Sequence, residues 1–390
     1  MSSLRSELEE EGFSFPSASE SNLEVAKEVA EGSGRLIGKH RMNRLFIVID
    51  GLGYDLLNAV INRSQALSKA FSDAKIEKIK TVFPTFTPSV MTSIDSGLSV
   101  AEHGIVGGII PIKEYGSMLD VFKVPWGPSL DEASGKADNY PIFPEMHNMI
   151  KMSKHKGFLY LMHEKILSMG KDLSILHKID HKGYISMDDM IIQVLKAIKS
   201  EPRELIYAYI DYVDHAQHVY TKSTFEGLEI TKYALEHLVE KLLPALKQNG
   251  WEIVITSDHG QGSFTKKGLK QILPKSKVME NLTVYPWGTR RSMFFNVVDG
   301  KEKLFEDEFQ RSYGKGAYLA NSEEAIMSGL FGKSKVSNWL RYRFGTHIAI
   351  AKGNNFLYYT YTGEKDYEKK AFGLHGGMSK GEMEIPLVVI

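Results

Sequence analysis

The stretch RLFIVIDG, residues 44–51, decides the fold. From Leu45 to Ile49 the chain is apolar without a break and rich in branched residues, and Asp50-Gly51 stops it. A run this short reads as a strand buried on both faces rather than a helix. It also leaves a carboxylate at the strand's C-terminal end. The pattern recurs in GFLYLM (157–162), in ELIYAYIDYVDH (204–215), which ends in acids and a histidine, and in WEIVITSDHG (251–260); EIPLVVI closes the sequence.

Helical patterns lie between these runs. MDDMIIQVLKAIKS (187–200) is one; a second starts near Ser223, where Ser223-Thr-Phe-Glu226 fits a capping box, and stops by Gly250. Buried strands alternating with helices predict an α/β fold, a mostly parallel sheet covered on both faces. Residues 1–40 read as a leading arm containing a helix in LEVAKEVAEGSG (23–34). Residues 41–390 then form the main domain. Its texture changes at about 262–360, where YPWGTRRSMFFNVVDG (285–300) and NNFLYYTYTG (354–363) read as short aromatic strands of an inserted cap.

At 390 residues, with 43% hydrophobic and 25% charged residues, the composition is that of a globular protein. Lys plus Arg equals Asp plus Glu at 48 each, so the chain lacks the basic surplus of a general nucleic-acid binder. With no cysteine, a disulfide, a thiol nucleophile and an iron–sulfur cluster are all excluded. The first fifteen residues are acidic where a signal peptide is apolar, and no run reaches the length of a membrane span. The expectation is a cytoplasmic protein with no membrane partner.

Open parallel sheets bind ligands beyond the C-terminal ends of their strands. Asp50, Asp214 and Asp258-His259 all follow such strands. One such aspartate is ordinarily a turn or cap residue; three at one edge, with histidines nearby, argue for more. Asp214 and His218 are four apart and share a face if the segment is helical, which favours Asp214 over Asp211 and leaves His215 either behind the ligands or at the surface. His375 sits among glycines in GLHGGM (373–378). Asp50, Asp214, His218, Asp258, His259 and His375 together are the right donors for two zinc-like ions, manganese being the alternative.

The hydroxyl-rich run FPTFTPSVMTSIDSG (83–97) supplies candidate nucleophiles. Pro88 suits the first position of a helix, Val90, Met91 and Ile94 supply an apolar face, and Gly97 a stop. That makes Thr87 the N-cap, where the helix dipole favours an alkoxide or a phosphate oxygen. Thr85 is the runner-up.

In chain order, IVIDGLG (47–53), FTPSVMTSIDSG (86–97) with LSVAEHGIVG (98–107), YVDHAQH (212–218), TSDHGQG (256–262) and LHGG (374–377) resemble the alkaline phosphatase superfamily, in its type I phosphodiesterase/nucleotide pyrophosphatase branch. The resemblance implies an alkaline-phosphatase-like three-layer sandwich. It implies one metal on the residues matching Asp50, Asp258 and His259 and touching Thr87, and another on those matching Asp214, His218 and His375. Its spacing places the nucleophile at Thr87, and the activity implied is hydrolysis of phosphodiester or pyrophosphate bonds in small, nucleotide-type substrates through a phospho-threonine. The sequence departs from the pattern in HGIVGGIIPIKEYG (103–116), which holds no phosphate-binding Asn, and in Phe83-Pro84, which precedes Thr87 where many relatives have the pair after it. A phosphomonoesterase of the same superfamily is the nearest alternative. A non-catalytic metal- or nucleotide-binding protein is the alternative of another class; GKS (332–334) resembles a phosphate loop but has Met327 where that loop needs Gly. Tyr285, Trp287, Phe294 and Phe295 read as packing before base stacking, and Arg290-Arg291 as a solvated pair.

Overall fold

The computed structural model describes residues 3–38, 43–113, 116–121, 155–169, 181–200, 203–333, 335–359 and 371–390. Glu114, Tyr115, Ser334 and residues 360–363, all within stretches singled out above, lie outside them.

The stretch 44–51 is central. Strand Asn43–Ile49 pairs in parallel with Leu205–Ile210 on one side and Trp251–Thr256 on the other. The sheet continues through Phe158–His163 to His181–Tyr184, and on the other edge through Glu384–Val389 to Lys75–Lys80. Among its seven strands in the described residues only Glu384–Val389 runs against the rest. Both faces are buried, as an unbroken apolar strand requires. Leu45, Ile47 and Ile49 pack with helices Tyr54–Ile61, Met187–Ala197 and Phe225–Gln248. Phe46 and Val48 face the other way, against helices Asn22–Glu31 and Thr87–Ser96.

A second sheet, antiparallel and six-stranded, runs Ala317–Asn321, His347–Ala351, Ser292–Phe295, Trp287–Gly288, Ile109–Ile112, Ser117–Asp120. It therefore joins strands from 287–351 to a hairpin from 109–120. Among the described residues no helix is long and apolar enough to cross a membrane.

Two helix starts differ from expectation by one residue. The helix expected from Ser223 is capped by Thr224, whose hydroxyl accepts from the Gly227 N–H at 3.1 Å, so Glu226 falls too early for a capping box. Thr87 is the first residue of its helix and Phe86 is the N-cap. Pro88 tolerates the second position because that N–H is unsatisfied in any helix. Gly97 ends the helix in the left-handed conformation, as its sequence position suggested.

The turn after the central strand admits no side chain. Gly51 has φ +74°, and a Cβ there would lie 2.8 Å from the Asp214 Cα. Gly51→Ala combines a left-handed backbone with overpacking and is expected to cost roughly 2–5 kcal/mol. A thermal melt checks this: an unchanged Tm would mean that the strand ends are not packed as described.

Candidate active site

The carboxylates and histidines picked out in the sequence meet at the C-terminal edge of the three central parallel strands. Asp50 continues strand Asn43–Ile49, its N–H donating to the Ile210 carbonyl at 2.8 Å. Asp258 and His259 follow strand Trp251–Thr256 after Ser257. Asp214 and His218 lie on helix Tyr212–Tyr220, directly after strand Leu205–Ile210. Asp211 is that helix's N-cap position, and His215 is exposed. His375 follows strand Ala371–Leu374.

They form two groups, Asp50, Asp258 and His259 in one and Asp214, His218 and His375 in the other; within each, one donor atom per residue lies within 4.8 Å of the others. In the first group the His259 Nε2 is 3.2 Å from Asp258 Oδ2 and 3.5 Å from Asp50 Oδ1. In the second, the His218 Nε2 is 3.2 Å from Asp214 Oδ2 and 3.2 Å from the His375 Nε2. The His259 and His375 rings stack at 3.8 Å between centroids, so the two groups share a wall.

All three imidazoles are oriented by the backbone. Nδ1 of His218, His259 and His375 lies 2.8, 3.1 and 2.9 Å from the carbonyls of Gly373, Gly260 and Thr85. A carbonyl accepts only from an N–H, so Nδ1 carries the proton and Nε2 of the neutral ring presents a lone pair. The facing Nε2 atoms of His218 and His375 therefore need a cation or a proton between them. Among the described residues Asp50 Oδ1 and Asp258 Oδ2 are buried without hydrogen-bond partners, although the other oxygen of each is held. Tyr209 donates to Asp50 Oδ2, and the Gly51 and His259 N–H groups donate to Asp258 Oδ1 at 3.1 and 2.7 Å. The orphaned oxygens opposite the His259 lone pair fit one divalent cation, and the facing Nε2 atoms beside the Asp214 carboxylate fit another.

The electrostatics agree. Burial pushes Asp50 well above the usual carboxylate range, helped by the charges of Asp258 and Asp214. Burial raises Asp258 to about 6 and lowers His259 to about 4 and His375 to about 3. Burial also pushes Asp214 upward, but the hydrogen bond and charge of His218 outweigh it and leave that carboxyl low.

Thr87 Oγ1 is 3.1 Å from the His259 Nε2, and its hydroxyl makes no capping bond. Thr85 is turned away: its buried hydroxyl donates to the Gly377 carbonyl and accepts from the Gly376 N–H, both at 2.9 Å, which places it behind His375. Ser93 bonds His103 at 3.0 Å and Ser96 the Thr92 carbonyl at 2.6 Å, both structural roles. The glycines after His103 are packed tightly. A Cβ on Gly107 would lie 2.4 Å from the Gly288 backbone, and one on Gly108 would lie 3.1 Å from the Phe86 ring.

Trp287, Phe294 and Phe295 are core residues, while Tyr285 is exposed and stacks on Tyr359. Arg291 is not solvated. Fully buried, it forms a two-point ion pair with Glu382 at 3.0 and 2.8 Å. Glu382 also accepts from the Gly377 N–H at 2.9 Å, and its carbonyl from the Gly260 N–H at 2.9 Å. It thus ties the His375 and His259 loops together, a role that no local pattern announces.

A mostly parallel sheet carrying such an edge, with a second sheet beside it, is the architecture of the alkaline phosphatase superfamily. The profile of the type I phosphodiesterase / nucleotide pyrophosphatase family matches residues 44–119 and 161–378, and the chain belongs to that family of metal-dependent hydrolases. A search of curated proteins finds no significant sequence match. Among solved structures, murine ectonucleotide pyrophosphatase / phosphodiesterase 5, an inactive variant in complex with AMP, is similar at 16% identity and a TM-score of 0.65, covering 89% of this chain and 87% of that one. Phosphonoacetate hydrolase from Sinorhizobium meliloti 1021, in complex with phosphonoformate, is similar at 16% identity and a TM-score of 0.64, covering 90% of each chain. At these identities the likeness establishes the fold.

The raised carboxyls give a pH test. The folded state holds the Asp258 proton more tightly than the unfolded chain, with a pKa of about 6 against 3.8. That stability is present below pH 4 and lost as pH rises through about 6. With metals chelated, Asp258→Asn is expected to be more stable than wild type at pH 7.5, by up to roughly 3 kcal/mol, the gap closing at pH 4. Paired melts at the two pH values check it; a pH-independent difference would contradict the described burial.

Proposed function

We propose that this chain is a two-metal phosphohydrolase that cleaves phosphodiester or pyrophosphate bonds, nucleotide-type substrates among them, with Thr87 as its nucleophile. The observation that carries the reading is the placement of the Thr87 hydroxyl, uncommitted to capping, 3.1 Å from a histidine of one donor group, with the second group across a shared histidine stack. Asp50, Asp258 and His259 would hold one ion and Asp214, His218 and His375 the other. Each set offers three protein donors of the nitrogen and oxygen type that suit zinc and leaves a position for substrate. Bound there, two ions would favour the ionised hydroxyl and neutralise charge on the transferring phosphoryl group.

The chain's own residues supply position. The Thr87 Oγ1 forms the bond to phosphorus as the bond from phosphorus to the leaving oxygen breaks, giving a phospho-threonine; attack by water then frees the hydroxyl and releases the phosphate. Pro88 has no N–H and the Val90 N–H is bonded to the Phe86 carbonyl at 3.0 Å. The N–H groups of Thr87 and Ser89, at the positive end of the helix, support phosphate binding at this point.

The similar structures hold AMP in one case and phosphonoformate in the other, which supports nucleotides and small phosphonates as the classes to test. One observation favours the phosphomonoesterase alternative: HGIVGGIIPIKEYG (103–116), the region in which diesterases of this branch carry an Asn, contains none.

Hydrolysis of a nitrophenyl monoester, a nitrophenyl phosphodiester, dinucleotides and phosphonoacetate, each with zinc, manganese and magnesium, separates these readings. Thr87→Ala is expected to lower turnover roughly 10³-fold or more while retaining both ions. Quenched wild-type enzyme should carry one phosphoryl group on the peptide containing Thr87. Full activity in Thr87→Ala, or phosphorylation elsewhere, would overturn the assignment.

A further inference from the structure

The family match begins at residue 44, yet the described chain before it bonds to the backbone of the loops that carry Asp258 and His375. Asn22 is fully buried at the first position of helix Asn22–Glu31. It is not needed as a cap, because Ser21 fills that role by accepting from the Glu24 N–H at 3.3 Å. Instead its Nδ2 lies 2.9 Å from Thr81 Oγ1, 3.1 Å from the Ser257 carbonyl and 3.1 Å from the Asp258 carbonyl. Thr81 Oγ1 donates to that same Asp258 carbonyl. The Asn22 Oδ1 accepts from the Leu23 N–H at 3.0 Å, which fixes the amide so that its two hydrogens face the turn.

These bonds bear on the peptide that sets the direction of two candidate ligands. With the Asp258 carbonyl held by Asn22 and Thr81, the peptide plane leading into His259 is fixed. The His259 N–H donates back to Asp258 Oδ1 at 2.7 Å and leaves Oδ2 as the free oxygen. The same N-terminal segment touches the other loop through the Ser14 N–H, which donates to the Met378 carbonyl at 2.8 Å.

We infer that Asn22, supported by Thr81, is a positioning residue for the metal centre formed by Asp50, Asp258 and His259, so that the segment before the family's own span is a working part of the site. The inference rests on the two-metal reading above. Asn22 touches neither substrate nor ion; it acts through the Ser257–Asp258 backbone.

The test is zinc titration of the full chain against a chromophoric chelator, in wild type, Asn22→Ala, Asn22→Asp and Thr81→Val, beside melts of the chelated proteins. Asn22→Asp keeps the side-chain volume and removes both N–H donors. One of the two binding events is expected to weaken about 10–100-fold, and the other by less than about threefold. With Asp258→Asn already in place, the remaining event should be unchanged by Asn22→Ala. Thr81→Val keeps the falsifying arm open should the Asn22 variants fail to fold. Variants that melt lower but bind both ions as wild type does, or that weaken both events equally, would reduce Asn22 to a fold-stabilising residue and overturn the inference while leaving the two-metal reading intact. Wild type that binds no zinc would overturn both.

Discussion

Three carboxylates brought together at one edge of a buried sheet repel one another and lose hydration, and much of the structure around them answers that. Asp50 and Asp258 are almost wholly buried, each with one oxygen that no donor among the described residues reaches. An ionised carboxylate in such a place is strongly disfavoured unless a cation or a proton joins it. The upward shifts of both groups express this, as do the downward shifts of His259 and His375. In the absence of cations Asp50 and Asp258 would take up protons while His259 and His375 stay neutral. Two divalent ions would reverse that balance, so ion binding, proton release and local stability become one linked equilibrium.

Direction matters as much as charge, and the backbone sets it. Each histidine spends its Nδ1 proton on the carbonyl of Gly373, Gly260 or Thr85, so each Nε2 points into the site. Behind these loops Glu382, paired with the buried Arg291, bonds to the main chain on both sides of the shared wall. A fully buried ion pair contributes little to stability by itself, because desolvation offsets its Coulomb attraction. Its position between the two loops gives it a specific use, fixing their spacing.

The strand-end acids were legible because the alternation of apolar runs with helical patterns places their termini on one edge before any contact is known. The pairing of Asp214 with His218 was legible because helical spacing is local. Asn22 and the Arg291–Glu382 pair were not. Their partners lie 235 and 91 residues away in sequence, and a polar residue opening an amphipathic helix looks like a cap. Arg290 and Arg291 look alike in sequence, yet Arg291 is buried over the Phe264 ring while Arg290 lies over Tyr358. Only the tertiary packing of the second sheet separates them. The need for Gly107 is hidden in the same way: the chain there passes so close to Gly288 that a side chain has no room.

The one-residue shift at Thr87 changes how its hydroxyl relates to the helix. An N-cap threonine accepts a hydrogen bond from its own helix, which fixes its rotamer and occupies a lone pair. In the first helical position Thr87 is released from that duty, and Phe86 takes the cap position with no side-chain bond to offer. The hydroxyl then faces the His259 Nε2, while the uncapped helix end keeps its partial positive charge. Phe86 lies parallel to the His375 ring at 5.9 Å and closes the side toward Gly108. The exchange of a capping bond for a free hydroxyl weakens the helix start slightly, and the packing of Val90 and Ile94 against the sheet makes that tolerable. A reactive group at a helix terminus can be uncapped where burial farther along the helix already holds it in place.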